Sequence, residues 1–272
     1  MTTASERAAA VFAFLAAALA GGPALAAKAP ALPDFEGVWM IQPGYYLGKP
    51  LLPAPRLAPA VAERNLKKRA AEKAGYVREV SGMLCGQNGG PNMYQIRSPF
   101  EVFGGFGRIT FIFETEMNNQ PHTIYLEEKA HSPDVYPSFT GHSIGRWEGR
   151  TLVVDTVGFI GRGTLLGPVP RTPTTHTVER FTWSADGKTM SDAITIEDPA
   201  SLTEPWTTTL VFDRKPRTEE RFEVWCDADL AAFKALDLQA YKDADPEIAL
   251  ILEGGFTDPA VTIAAEAKAA LQ

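Results

Sequence analysis

Cysteine is scarce: the 272-residue chain has two, Cys85 and Cys226. That is too few for a disulfide-dense scaffold, and neither has a His or Cys beside it at ligand spacing, so no cysteine metal cluster is expected. Histidine is nearly as rare. His122, His131, His142 and His176 lie on separate segments with no i, i+2 or i, i+4 partner, so spacing predicts no metal site. Basic charge is short as well, with 26 Lys and Arg against 33 Asp and Glu and a net charge of −7. No basic stripe alternates with aromatics, and nucleic acid is not an expected partner. Beyond the N-terminal segment no apolar run reaches the ~20 residues that a transmembrane helix needs. There is no Gly-x-Ser-x-Gly elbow, no P-loop and no dinucleotide fingerprint, and no cofactor is expected.

The first residues carry a different signal. Arg7 supplies a positive start, Ala8 to Ala20 form a charge-free apolar run, and Gly21, Gly22 and Pro23 break it. Ala24-Leu25-Ala26 then fits the small-x-small rule for signal peptidase. Residues 1–26 are expected to be a signal peptide cut after Ala26, with the mature chain periplasmic or secreted. In that oxidising setting Cys85 and Cys226 are expected to form a disulfide, two buried free thiols being the alternative.

Residues 27–272 read as one β-rich domain, since no linker divides them. Pro59 to Ala74 reads as a surface helix with a thin apolar stripe at Val61, Leu66 and Ala70. Strands are expected at Asp34 to Ile41, Tyr94 to Phe103, Arg108 to Glu116, His122 to Glu127, Ser143 to Glu148, Thr151 to Phe159, Thr175 to Ser184, Thr189 to Asp198, Trp206 to Lys215 and Arg221 to Trp225. Helices are expected at 229–241 and 259–271. Asp186-Gly187 is a hairpin signal, and Gly104 to Gly107 reads as a tight turn. Some ten strands in succession predict an antiparallel up-and-down barrel around a cavity, with a β-sandwich as the rival. Gly37-x-Trp39 on the first strand resembles the lipocalin pattern, in which the indole plugs one barrel end.

Strand alternation sorts the side chains by face. Phe111 and Phe113 belong to an inward set with Ile109. Glu179 shares a face with Phe181 and Trp183, and His122 shares one with Ile124. Around Asp155 two faces compete: Leu152, Val154 and Thr156, or Val153, Asp155, Val157 and Phe159. An acid in apolar company has its ionisation suppressed, as a general acid or base requires. The candidate catalytic residues are therefore Glu179, Asp155 and His122, together with His142, which stands just before the strand through Trp147 as a base or acid oriented by Asp155 or Glu179; Phe111, Phe113, Arg146 and Trp183 are the ligand-binding candidates. Arg146 is also a candidate partner for Glu179.

The run Gly141-His142-Ser143-Ile144-Gly145-Arg146-Trp147-Glu148-Gly149-Arg150-Thr151-Leu152-Val153-Val154-Asp155-Thr156 resembles the signature of a large, mostly uncharacterised family of exported bacterial proteins. Pro137-Ser138, Val178-Glu179-Arg180-Phe181, Ile196-Glu197-Asp198-Pro199 and Pro205-Trp206 extend the resemblance. Arg150 stands where that pattern has Asp, and Glu127-Glu128-Lys129 where it has Asp-Gly-Arg. The resemblance implies export and a barrel but no agreed activity. The functional expectation is cofactor-independent proton transfer, of lyase or isomerase type, on a hydrophobic or aromatic small molecule. The alternative is a non-catalytic periplasmic binding protein for such a molecule.

Overall fold

β-Branched and aromatic residues alternate with polar ones through most of the chain, a pattern that suits half-buried strands. In the computed structural model, which describes residues 31–73, 89–113, 121–161 and 163–217, these runs form β1 (Gly37–Ile41), β2 (Phe100–Gly105), β3 (Arg108–Phe113), β4 (His122–Tyr125), β5 (His142–Glu148) and β6 (Thr151–Val157). They continue with β7 (Thr164–Leu166), β8 (Val169–Pro170), β9 (His176–Trp183), β10 (Thr189–Glu197) and β11 (Trp206–Lys215). One helix, α1 (Pro59–Lys73), precedes a 3-10 turn at Gly90–Gln95. The expected signal peptide, both cysteines, the strand at Arg221 to Trp225 and the two closing helices lie outside the described residues.

Nine strands close into a barrel in the order β1-β11-β10-β9-β6-β5-β4-β3-β2, and β7 pairs with β8 apart from it. The barrel is mixed rather than purely up-and-down, because β4 and β5 run parallel, with Ile124 opposite Ser143. A parallel pair cannot be joined by a tight hairpin; it needs a crossover of a dozen or more residues. The segment between Tyr125 and His142 provides that length. Gly145 makes the close approach possible, since a Cβ there would lie 2.5 Å from Ile124 Cγ2.

The turns match the sequence signals. Phe106 and Gly107 both have positive φ, 52° and 72°, as a two-residue hairpin between β2 and β3 demands. Gly187, at φ 68°, turns β9 into β10. The expected strand from Tyr94 to Phe103 is instead split. Its first residues belong to the 3-10 turn, all six of whose residues are buried, and only Phe100 onward pairs with β1 and β3. Pro91 explains the split, because it enters at a helix N-terminal position and cannot donate to a ladder.

That turn drives Tyr94 into the barrel. Its ring lies 5.3 to 6.4 Å from those of Phe100, Phe111, Phe113, His122, Phe181 and Phe212. The expected interior cavity is thus filled by aromatic side chains, Phe111, Phe113 and Trp183 among them. A nine-stranded barrel is narrow enough for large side chains to fill it. At the other end, Trp39 is fully buried, donates from Nε1 to Phe35 O at 3.1 Å, and carries the Arg214 guanidinium 4.5 Å from its ring centroid.

Candidate functional site

The four residues singled out from sequence separate into two places. β6 turns Leu152, Val154 and Thr156 inward, so Asp155 faces out. His142, first residue of β5, also faces out, while Ser143 next to it faces in. His122 and Glu179 are both interior.

Inside the barrel, His122 Nδ1 meets the Tyr94 hydroxyl at 3.0 Å and His122 Nε2 meets Ser143 Oγ at 2.8 Å. Ser143 Oγ continues to Thr156 Oγ1 at 2.7 Å. With both ring nitrogens held by neutral partners, burial pushes the His122 imidazole down to about 4. Glu179 sits beside the Tyr94 hydroxyl and Asp192 of β10. Loss of hydration raises Glu179 to about 7, and it raises Asp192 with the neighbouring Glu179 charge adding to the effect. The two carboxyls interact, yet Glu179 Oε1 and both Asp192 oxygens lack a well-directed hydrogen-bond partner. Tyr94 is likewise held above its usual value, first by burial and then by the two acids. Arg146 does not reach Glu179; it points outward and donates to Glu148 at 2.8 Å.

These shifts have opposite consequences for stability. The folded state raises Glu179 and Asp192, so their contribution is full below the ordinary carboxylate range and is lost as pH rises through about 7 and beyond. The folded state lowers His122, so its contribution is full above the ordinary imidazole value and is lost as pH falls through about 4. Denaturant unfolding at pH 6 and pH 9 should show the protein weaker at pH 9. Asp192→Asn should recover part of that difference. An identical pH dependence in the variant would remove the buried acids from the account.

On the outer surface, at one end of the barrel, three of the four histidines meet. His131 Nε2 donates to Asp155 Oδ1 at 3.0 Å, and His176 Nε2 donates to the same oxygen at 3.0 Å. His176 Nδ1 faces Glu197 Oε2 at 3.3 Å, and His142 Nε2 faces Glu128 Oε2 at 3.3 Å. His131 Nδ1 and His142 Nδ1 are 2.9 Å apart. The result is one continuous line: Glu128, His142, His131, Asp155, His176, Glu197. The side chains of His131, His142, His176 and Asp155 are 18% to 32% exposed, which leaves the site accessible but not loose.

Each position has a local cause. β6 pairs with β5 and β9, setting Asp155 opposite Ile144 and Val178, two residues from His142 and two from His176 along the neighbouring strands. His176 and Glu197 are direct cross-strand partners. Gly141 turns the chain into β5 at φ 72°, where a Cβ would lie 2.6 Å from Thr156 Cγ2. Tyr125 stacks on the His142 ring, 5.3 Å between centroids. Asp198 ties the lead-in to β9 onto the end of β10: it accepts from the hydroxyls of Thr172, Thr174, Thr175 and Ser201 and from the Ala200 amide.

No family model and no curated protein matches the chain. The site must therefore be read from its own chemistry. His131, His176, Glu128 and Glu197 belong to it although sequence spacing gave no sign of them. Only His142 and Asp155 were expected. The signal that could have found His176 is its register with Glu197, which follows once β9 and β10 are joined by the Asp186-Gly187 turn.

Proposed function

We propose that the protein is an exported enzyme whose proton-transfer chemistry takes place at the outer histidine–carboxylate line, on a hydrophobic or aromatic small molecule. One observation carries this reading: three imidazoles from three separate segments converge, through Asp155, into a hydrogen-bonded chain open to solvent. Imidazole is the side chain best matched to moving protons near neutral pH. An oriented imidazole with a carboxylate behind it is the recurring form of a general acid or base. His142, stacked on Tyr125 and backed by Glu128, is the group placed to exchange a proton with a substrate. Asp155 holds His131 and His176 in fixed tautomers with Nε2 protonated. Lyase or isomerase chemistry fits such a site, since both need only removal and return of protons.

The interior pair His122 and Glu179 is the other place where acid and base strengths are pushed apart, a pattern that can mark catalytic groups. Tyr94 and its aromatic neighbours occupy the space a substrate would need there, which supports the outer site instead. The experiment is to incubate the purified protein with a pool of small apolar and aromatic compounds and follow them by mass spectrometry. Consumption beyond the molar amount of protein supports an enzyme. Stoichiometric retention without consumption would replace this reading with a binding protein.

A further inference from the structure

We infer that His131 is a positioning residue for His142: with Asp155 behind it, His131 holds His142 in the tautomer whose Nε2 accepts the substrate proton. This rests on the outer cluster as the functional site and names the atom that reacts there. The argument starts from Asp155, whose carboxylate can only accept a hydrogen bond. His131 Nε2 lies 3.0 Å from Asp155 Oδ1, so Nε2 carries the His131 proton. A neutral imidazole has one N–H, so His131 Nδ1 carries the lone pair and accepts. His142 Nδ1 lies 2.9 Å from it, and a hydrogen bond there needs a donor, which His142 supplies from its Nδ1–H. The lone pair of neutral His142 is thereby left on Nε2.

Glu128 pulls the other way. Its Oε2 faces His142 Nε2 at 3.3 Å and, acting alone, would keep the proton on that nitrogen. Geometry decides for His131. The contact with Glu128 falls outside the usual N–H···O range of about 2.7–3.2 Å. The Glu128 side chain is also 40% exposed, against 18% for His131, so water competes more strongly for it. Tyr125, stacked on the His142 ring at 20°, keeps the imidazole in the plane that serves both neighbours. When a substrate proton arrives at Nε2, His142 becomes an imidazolium. Its Nδ1–H stays on His131, and the new Nε2–H faces Glu128 as an ion-pair partner. Return of the proton from Nε2 restores the neutral ring, and His131 gains and loses none. The acidic group of the substrate therefore approaches on the Glu128 side of the ring. His131 belongs to the crossover before β5, so the fold and not the sequence spacing brings it to His142.

Nitrogen NMR of the histidine-labelled full chain at about pH 8, above the ordinary imidazole value, reads the tautomers without a substrate. His142 should show a protonated Nδ1 and a bare Nε2, and His131 the reverse. His131→Phe keeps a ring but has no acceptor, and should move the His142 proton to Nε2, opposite Glu128. His131→Asn, whose Oδ1 accepts from Nδ1–H, should keep it on Nδ1. Turnover should follow the tautomer. In His131→Phe kcat should fall about 10²-fold or more with KM within a few-fold, and His131→Asn should recover at least about tenfold of that loss. A neutral wild-type His142 protonated at Nε2, a tautomer indifferent to His131→Phe, or a His131→Phe enzyme working at the wild-type rate would overturn the assignment. The expected tautomers in a protein without turnover would sink the proposed chemistry and leave this placement of the proton standing.

Discussion

His142→Ala and Asp155→Asn should each lower turnover by about 10²-fold or more, the scale of general acid–base catalysis, with the unfolding midpoint unchanged within error. The stability half of that expectation follows from placement. Both side chains lie on the outside of the barrel and contribute nothing to its aromatic interior. Partly exposed ion pairs of this kind are worth only about 0–1 kcal/mol. The activity half follows from connectivity. Removing the His142 ring takes away the imidazole that faces Glu128 and stacks on Tyr125. Replacing Asp155 by Asn keeps the shape but removes the charge that two Nε2–H groups share. The measurement is steady-state kinetics on the substrate found by depletion, beside thermal melts of the same samples. A loss of activity that merely tracked the folded fraction would assign these residues to the scaffold.

Trp39→Ala should destabilise the protein by about 3–5 kcal/mol, the range for removing a large aromatic from a core. Trp39 is held from every side. β1 joins β11 to β2 and so closes the barrel, with Trp39 opposite Arg214 and Phe100. Its indole donates to Phe35 O, and the guanidinium stacked on its ring also donates to the carbonyls of Asp34, Glu36 and Gly187. The substitution leaves a void and also strips a cation–π partner from Arg214. Denaturant unfolding of wild type and variant measures the effect; a change under 1 kcal/mol would mean the indole does not close that end.

The barrel was legible in the sequence because alternation and turn chemistry act locally. The run Trp206 to Lys215 alternates from Trp206 to Asp213 and is β11 without adjustment. Asp186-Gly187 marks the short β9–β10 connection, residues 185–188, and a hairpin loop that short admits few pairings. Two features were hidden for a physical reason. The direction of β5 depends on how a long connection crosses the barrel, and no residue pattern in that connection encodes it. Tyr94 looked like the start of a strand because an apolar aromatic serves a strand and a plug equally well.

The site was half legible. His142 was selected as the residue at a strand entrance, and that is its place. Asp155 was ambiguous because both faces of Thr151 to Val157 are rich in valine and leucine; only pairing with β5 and β9 decides that Thr156 is buried and Asp155 is not. Glu179 and His122 share with Asp155 the pattern of an ionisable residue in apolar company, but the barrel wall separates them from it. His131 and His176 went unnoticed because a cluster assembled across three strands and a crossover has no sequence spacing to read.

The central claim is that chemistry happens on the outer face and not inside the barrel. Single-substrate turnover by wild type, Asp155→Asn and Glu179→Gln, measured side by side at pH 7 on folded protein, tests it directly. The account predicts that Glu179→Gln keeps the wild-type rate within a few-fold, because Glu179 touches only the filled interior, while Asp155→Asn falls by about 10²-fold or more. The reverse pattern, with Asp155→Asn at the wild-type rate and Glu179→Gln inactive, would contradict it and move the chemistry to Glu179, Asp192, Tyr94 and His122.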